Sequence, residues 1–397
     1  MKIYTAGLGI VTSLGIGVKV NFEALSNKKH GINSLSQETD PFLSGFPVAA
    51  LKTDNEELSE LSGLGMNFPR TVYLSLIAAR EALTNSGLDL RKYRSGFISA
   101  TTVGGMDLTE KFYGSFRKSR NNGRLSDVMN HECGIVTDIV AQKVEANTFV
   151  STISTACSSS ANSIVTAARM IKAGRLDIAI AGGADAISAF TLNGFNTLML
   201  LDPDLCVPFD TRRKGLNIGE GAGFLIMVSE KLADSGAVIP DALLSGYSNV
   251  CDAFHQTATS PEGRGPFNSM SAAIRAAGLS ISDIDYINAH GTATQNNDLT
   301  EAIAIRRVFG TAIPVLSSTK SYTGHTLGAS GAVGAIFSIL SLKNNIVFPN
   351  LRFCEPIPEA PIMPVTDVTP QNINHVLTNS FGFGGNCSSM VFSKSEK

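Results

Sequence analysis

Residues 151–160 form a β-branched run that ends at Cys157 and passes directly into a helical pattern, ANSIVTAARMIKAG over 161–174. A cysteine at such a junction sits where backbone N–H groups converge and the helix dipole is positive. That setting favours thiolate over thiol and can make a nucleophile. A buried structural cysteine is the competing reading, and the commoner one for an arbitrary lone cysteine. Two histidines bear on the choice. His290 in Asn288-Ala289-His290-Gly291 and His325 in Lys320-Ser321-Tyr322-Thr323-Gly324-His325 each follow a strand-like run and adjoin a glycine. Loops after strand ends in α/β layers are the usual place for catalytic side chains. Singly, each histidine reads as structural. Together with Cys157 they point to a Cys-His-His site whose imidazoles donate to a carbonyl or enolate, or act as base. A protease-like Cys–His pair would need an orienting Asn or Asp and would leave the second histidine unexplained.

The elements that must hold these groups follow from periodicity. With 397 residues, 43% apolar and 17% charged, the chain exceeds one ordinary core and calls for two domains or two packed halves. Strands are expected over 2–11, 97–103, 178–183 and 224–228, and helices over 72–85 and 161–174. A second series has helices over 271–277, 299–309 and 328–343, and strands over 285–289, 313–317 and 374–380. The alternation favours an α/β layered fold with mostly parallel strands, and the repeated rhythm suggests internal duplication. No polar linker separates the halves. The boundary is placed near 235–244, giving an N-terminal half (1–240) with the cysteine and a C-terminal half (241–397) with both histidines.

Composition removes several function classes. A net charge of −2 implies no general attraction to nucleic acid or membrane. Six widely spaced cysteines without a C-x-x-C pair argue against a zinc knuckle, a thioredoxin-like site and a disulfide-rich secreted scaffold, and no metal is expected. No signal h-region or window of transmembrane length is evident, so a soluble cytoplasmic protein is expected. Ser317-x-x-Lys320 and Asn386-Cys387-Ser388 match the penicillin-binding and glycosylation patterns only in isolation. Lys111, Arg117, Lys118, Arg120 and Arg124 form a basic cluster, either a solvated face or a docking patch for an acidic partner.

Thr155-Ala156-Cys157-Ser158-Ser159, His290-Gly291-Thr292-Ala293-Thr294, Lys320-Ser321-x-x-Gly324-His325 and Asn379-Ser380-Phe381-Gly382-Phe383-Gly384-Gly385 resemble the signatures of β-ketoacyl-acyl-carrier-protein synthases. The likeness is to the synthase I/II branch and to the ketosynthases of type II polyketide and aryl-polyene systems, and it runs from Ile3 to Val391. It implies a thiolase-like five-layer α-β-α-β-α fold of two similar halves, usually in a homodimer, with a heterodimer beside a chain-length-factor-like subunit as the variant. It also implies a decarboxylating Claisen condensation in fatty-acid elongation or polyketide synthesis. Substrates would arrive on the phosphopantetheine of acyl carrier protein, with no cofactor. By resemblance, Cys157 carries the acyl group, and His290 and His325 stabilise the enolate. Lys320 and Glu301 support them. The N–H groups of Cys157 and Phe383 form the oxyanion hole, with Phe383 as a gate. Thr292 and Thr294 bind the pantetheine arm, and Val103 lines the acyl pocket. The competing readings are a thiolase-like or coenzyme A-dependent acyltransferase and a non-catalytic ketosynthase partner. One departure stands out. After Phe383-Gly384-Gly385 the family carries threonine or histidine and then asparagine, whereas this chain has Asn386 and Cys387, and Cys387 invites comparison with the second cysteine of thiolases.

Overall fold

The structure is a computed structural model and describes residues 1–34 and 45–396. Its main strands are β1 (Ile3–Thr12), β2 (Ser95–Ala100), β3 (Phe149–Ile153), β4 (Ile178–Asp185), β5 (Gly221–Ser229), β6 (Ala242–Cys251), β7 (Tyr286–Asn288), β8 (Val315–Ser317), β9 (His375–Gly382) and β10 (Asn386–Ser393). They lie in the order β3-β2-β4-β5-β1-β6-β10-β9-β7-β8. The first five and the last five repeat one topology. In each set the three outermost strands are parallel and the two inner pairings antiparallel. The sets meet through Tyr4↔Leu243 and Thr5↔Ala242. The rhythm read from the sequence is thus a repeat of topology. The expectation of mostly parallel strands fails at the centre. β5 and β1 were both read as strands, yet β5 pairs antiparallel with β4 and with β1. Further antiparallel pairings come from β6 and β10, which were not recognised. Polar residues such as Ser245, Asn249, Ser388 and Ser389 interrupt their apolar alternation.

The helices that cover these strands are α1 (Arg70–Ser86), α2 (Met106–Lys118), α3 (Ser159–Lys172), α4 (Ala189–Thr197), α5 (Arg264–Ala276), α6 (Gln295–Phe309) and α7 (Ser330–Asn344). α1 packs on β1, β4 and β5 from one outside. α5 packs on β6 and β10 from the other, with α6 against it. Between them lie α3 and α7, touching each other and strands of both sets. Five layers follow, with three apolar cores. Leu74, Phe97 and Phe224 belong to one outer core and Met270, Ile305 and Leu377 to the other, while Ile164, Val333, Phe337 and Val376 fill the middle. The two central helices approach closely because Gly331 faces α3, where a Cβ would come within 2.6 Å of Ala161 N. Residues 327–344 are apolar and long enough for a membrane span, contrary to the sequence reading, but 83% of that window is buried inside the protein. Its hydrophobicity is that of a core helix covered on all sides.

Candidate active site

Duplication explains where the chemistry converges. Cys157 lies in the connection from β3 to α3, and His325 lies in the equivalent connection from β8 to α7. His290 follows β7, and Phe383 follows β9. Equivalent strand ends of the two halves therefore face one centre. The thiol sulfur and one ring nitrogen of each imidazole lie within 4.8 Å of one another. The imidazole rings are 5.5 Å apart and nearly perpendicular at 88°.

The nucleophile turn is held under tension. Ala156 has φ of 51°, a left-handed conformation that a side-chain-bearing residue keeps only when its surroundings impose it. Ser159 Oγ accepts from Thr155 N at 2.8 Å and donates to Ala156 O at 2.5 Å. Ser380 Oγ donates to Cys157 O at 2.8 Å, tying the turn to β9. The backbone N–H groups of Phe383 and Cys157 both face the thiol.

His325 has a defined tautomer. Leu327 N donates to its Nδ1 at 3.0 Å, so a neutral ring carries its proton on Nε2 and presents a donor to the site. Leu327 itself is held at φ of 51°, and Gly328 N donates to Asp185 Oδ2 at 2.6 Å. The Nδ1 atom of His290 is buried and, among the described residues, has no hydrogen-bond partner, so no contact there fixes that atom as donor or acceptor. Lys320 Nζ donates to His290 O. Glu301 reaches the same loop from α6, accepting from His290 N and Gly291 N at 2.8 Å each and from Asn379 Nδ2 at 3.0 Å. Lys320 and Glu301 therefore hold the backbone of the His290 loop and do not touch its ring nitrogens.

Burial sets the protonation states. It lowers His325 to about 3 and takes His290 well below its usual value, with the Lys320 charge the next cause in both. Both imidazoles are neutral at pH 7. Burial lowers Lys320 to about 8, opposed chiefly by Glu301, and raises Glu301 to about 6 against its hydrogen bonds. Burial also pushes the Cys157 thiol up to about 11, with the Lys320 charge and the two facing N–H groups pulling it back. The expectation of a standing thiolate is therefore corrected. With the cysteine only 6% exposed, loss of hydration outweighs the helix terminus. The thiol must give up its proton as it attacks.

Two cavities meet at Cys157. One, of about 210 Å³, is lined by Thr292, Thr294, Thr257, Thr259, His290 and His325. The other, of about 280 Å³, is lined by apolar residues including Val103, Met106, Leu198 and Leu327. Phe383 lines both, stacked on Phe195 with centroids 5.8 Å apart and planes at 22°. All nine residues singled out from the sequence thus lie at the centre, along its cavities or directly behind it. Cys387 does not. It sits on β10 against Gly265 and Asp252 of the outer layer, which removes the comparison with a second thiolase cysteine. Phe195 and Asp185 were missed. Asp185 accepts from Thr101, Thr102, Val103 and Gly328, and its signal was a lone carboxylate closing an otherwise apolar strand. Phe195 had none, being one of 21 phenylalanines.

Among the described residues, the same three donor atoms are the set close enough for a soft divalent ion. A ligating His325 Nε2 needs its lone pair, however, and the Leu327 N–H at Nδ1 leaves the proton on Nε2. Ligation would break that bond, so the geometry suits hydrogen-bond donation better than coordination.

Comparison with known proteins gives the following. The family description "Beta-ketoacyl synthase, N-terminal domain" matches residues 2–233, and "Beta-ketoacyl synthase, C-terminal domain" matches 242–354. A 3-oxoacyl-[acyl-carrier-protein] synthase 2 of Staphylococcus aureus (strain MRSA252) is 32% identical over 415 residues, covering 100% of this chain and 99% of the relative. Among solved structures, the ishigamide ketosynthase/chain length factor superposes with a TM-score of 0.92 at 27% identity, over 99% of both chains. A type II PKS acyl-carrier protein in complex with its ketosynthase bound to the hexaketide, AntDE:AntF, superposes with a TM-score of 0.91 at 25% identity, again over 99% of both chains.

Proposed function

The chain belongs to the beta-ketoacyl synthase family, and from that premise we propose how its residues perform a decarboxylating Claisen condensation on carrier-protein thioesters. It is an acyltransferase of the 3-oxoacyl-[acyl-carrier-protein] synthase type, serving fatty-acid elongation or polyketide or aryl-polyene synthesis. The observation that carries the assignment of roles is the placement of one thiol and two neutral imidazoles at the junction of a polar and an apolar cavity.

An acyl group enters on phosphopantetheine, with Thr292 and Thr294 along the arm. The Cys157 sulfur attacks the thioester carbon, and its proton passes to His290, whose tautomer nothing dictates. The N–H groups of Cys157 and Phe383 hold the tetrahedral oxyanion. Collapse expels the pantetheine thiolate, which recovers the proton, and the acyl chain occupies the apolar cavity. A malonyl thioester then enters. Its bond to the carboxylate breaks, carbon dioxide leaves, and the electron pair becomes an enolate whose oxygen is held by the His290 and His325 N–H groups. This charge exists only along the reaction path, so preorganised donors lower the barrier selectively. The enolate carbon attacks the acyl-Cys157 thioester carbon, forming the new C–C bond. The resulting oxyanion collapses with cleavage of the C–S bond and expels the Cys157 thiolate, which takes a proton from water to return to the thiol.

The enzyme is cytoplasmic and cofactor-free in this reading, with acyl carrier protein as partner. A homodimer is favoured by the end strand β3, where Val150 is 39% exposed, and by the exposed Phe190 at the open apolar cavity. The alternative assembly pairs the chain with a chain-length-factor-like subunit, as in the ishigamide relative. The test is incubation with acyl- and malonyl-carrier protein, following Cys157 mass and carbon dioxide release. Acylation together with decarboxylation supports the proposal. Acylation from coenzyme A alone, or no acylation, refutes it.

A further inference from the structure

β9 and β10 form a hairpin whose last pair is Gly382↔Asn386 and whose loop is Phe383-Gly384-Gly385. Gly384 and Gly385 both have φ of 79°, so this tight loop depends on two residues free of a Cβ penalty. On its outer side it is tethered by Gly384 N to Gln256 O and by Asp252 N to Gly385 O, each at 2.7 Å. On its inner side the tie is the Asn386 side chain. Three groups converge on its Oδ1: Ser158 Oγ at 2.7 Å, Asn162 Nδ2 at 2.9 Å and Asn249 Nδ2 at 2.7 Å. Ser158 is the residue after the nucleophile, Asn162 lies in the first turn of α3, and Asn249 comes from β6.

The cluster is braced from behind. Asn162 Nδ2 also donates to Thr155 Oγ1 at 2.8 Å, and Asn162 Oδ1 accepts from Asn249 and Ser388. Among the described residues the Asn386 Nδ2 makes no hydrogen bond. Only the oxygen is used, and it joins the gate hairpin to the nucleophile turn. The connection from Cys157 through Ser158 to Asn386 spans the same gap as the two N–H groups that face the thiol.

Resting on the condensation reading above, we propose that Asn386 is a positioning residue for the oxyanion hole. Its amide oxygen anchors the hairpin that carries Phe383 to the turn that carries Cys157, and so sets the separation of their N–H groups.

The two chemistries of the site separate this role from general support. Acylation of Cys157 passes through the oxyanion, whereas malonyl decarboxylation depends on the imidazoles. Asn386→Ala removes the accepting oxygen, and Asn386→Asp keeps it and replaces only the unbonded nitrogen. With acyl- and malonyl-carrier protein as probes, Cys157 acylation is followed by mass spectrometry and decarboxylation by carbon dioxide release. Asn386→Ala is expected to slow acylation about 100-fold, the scale of a displacement near 1 Å, with decarboxylation held within about twofold. Asn386→Asp is expected to recover acylation to within about tenfold of the unaltered chain. Equal loss of both rates, unchanged acylation, or no recovery in Asn386→Asp overturns the proposal. If Asn386→Ala fails to accumulate folded, Asn249→Ala withdraws one donor from the far side. Acylation lowered about tenfold with decarboxylation intact then supports the anchor, and any other result overturns it. Absence of both reactions in the unaltered chain would refute the condensation reading instead.

Discussion

In the proposed reaction the apolar cavity beyond Phe383 receives the acyl chain, and Gly194 offers a direct way to test that assignment. Gly194 lies in α4 and lines that cavity, and a Cβ added there would meet no atom within 4 Å. Gly194→Leu therefore introduces four carbons into open space of about 280 Å³. Each methylene of an acyl chain denied burial loses about 0.8 kcal/mol, so four lose about 3.2 kcal/mol. At about 1.4 kcal/mol per factor of ten, kcat/KM for long acyl chains should fall about 200-fold. Acetyl and other short groups stop before the added side chain and should be unaffected. The fold should not suffer, since leucine is favoured over glycine inside a helix by about 0.8 kcal/mol. The assay is the rate of Cys157 acylation across carrier-bound acyl groups of increasing length, with the melting temperature as control. A parallel fall for short and long chains, or no length dependence at all, would refute the assignment of this cavity.

The remaining expectations concern the site itself. Cys157→Ala should abolish condensation while leaving malonyl decarboxylation measurable, and His325→Ala should chiefly remove decarboxylation; condensation that persists in either variant contradicts the roles given. The pH profile of kcat/KM should be bell-shaped. Lys320 loses its charge as pH rises through about 8, and Glu301 gains a proton as pH falls through about 6, so the optimum lies between those values. Glu301→Gln should flatten the acid limb, and an unchanged limb would show that another group titrates there. Arg117, in the last turn of α2, and Arg120 just beyond it are exposed. Reversing both charges should raise KM for carrier protein at low ionic strength with kcat unchanged, and an unaltered KM would make them a solvated face.

The site residues were legible because their chemistry is written locally. A cysteine before a helical pattern, two histidines beside glycines, and a glycine-bracketed phenylalanine each occupy a short continuous stretch. What failed to show were residues whose role depends on distant contacts. Asp185 is tied to segments 82–84 and 143 positions away. Phe195 has meaning only against Phe383; position 386 stood out in the sequence, but its contacts with Ser158, Asn162 and Asn249 did not show. The strands β6 and β10 escaped for a related reason, since polar residues that interrupt their alternation contact other parts of the fold, as Asn249 and Ser388 do with Asn162 of α3.

The amino-acid sequence by itself placed most helices and strands of both halves, the cysteine and two histidines of the site, and the glycine-bracketed phenylalanine loop. Those properties reside in residue type, spacing and backbone preference, which act over a few residues. Tertiary structure alone decided the protonation of the site. A helix N-terminus argued for a thiolate at Cys157, but burial against both halves raises the thiol to about 11 and keeps both histidines neutral. Solvation is a property of everything that surrounds a group. Here the surroundings come from strand ends more than a hundred residues apart, joined by the repeated topology.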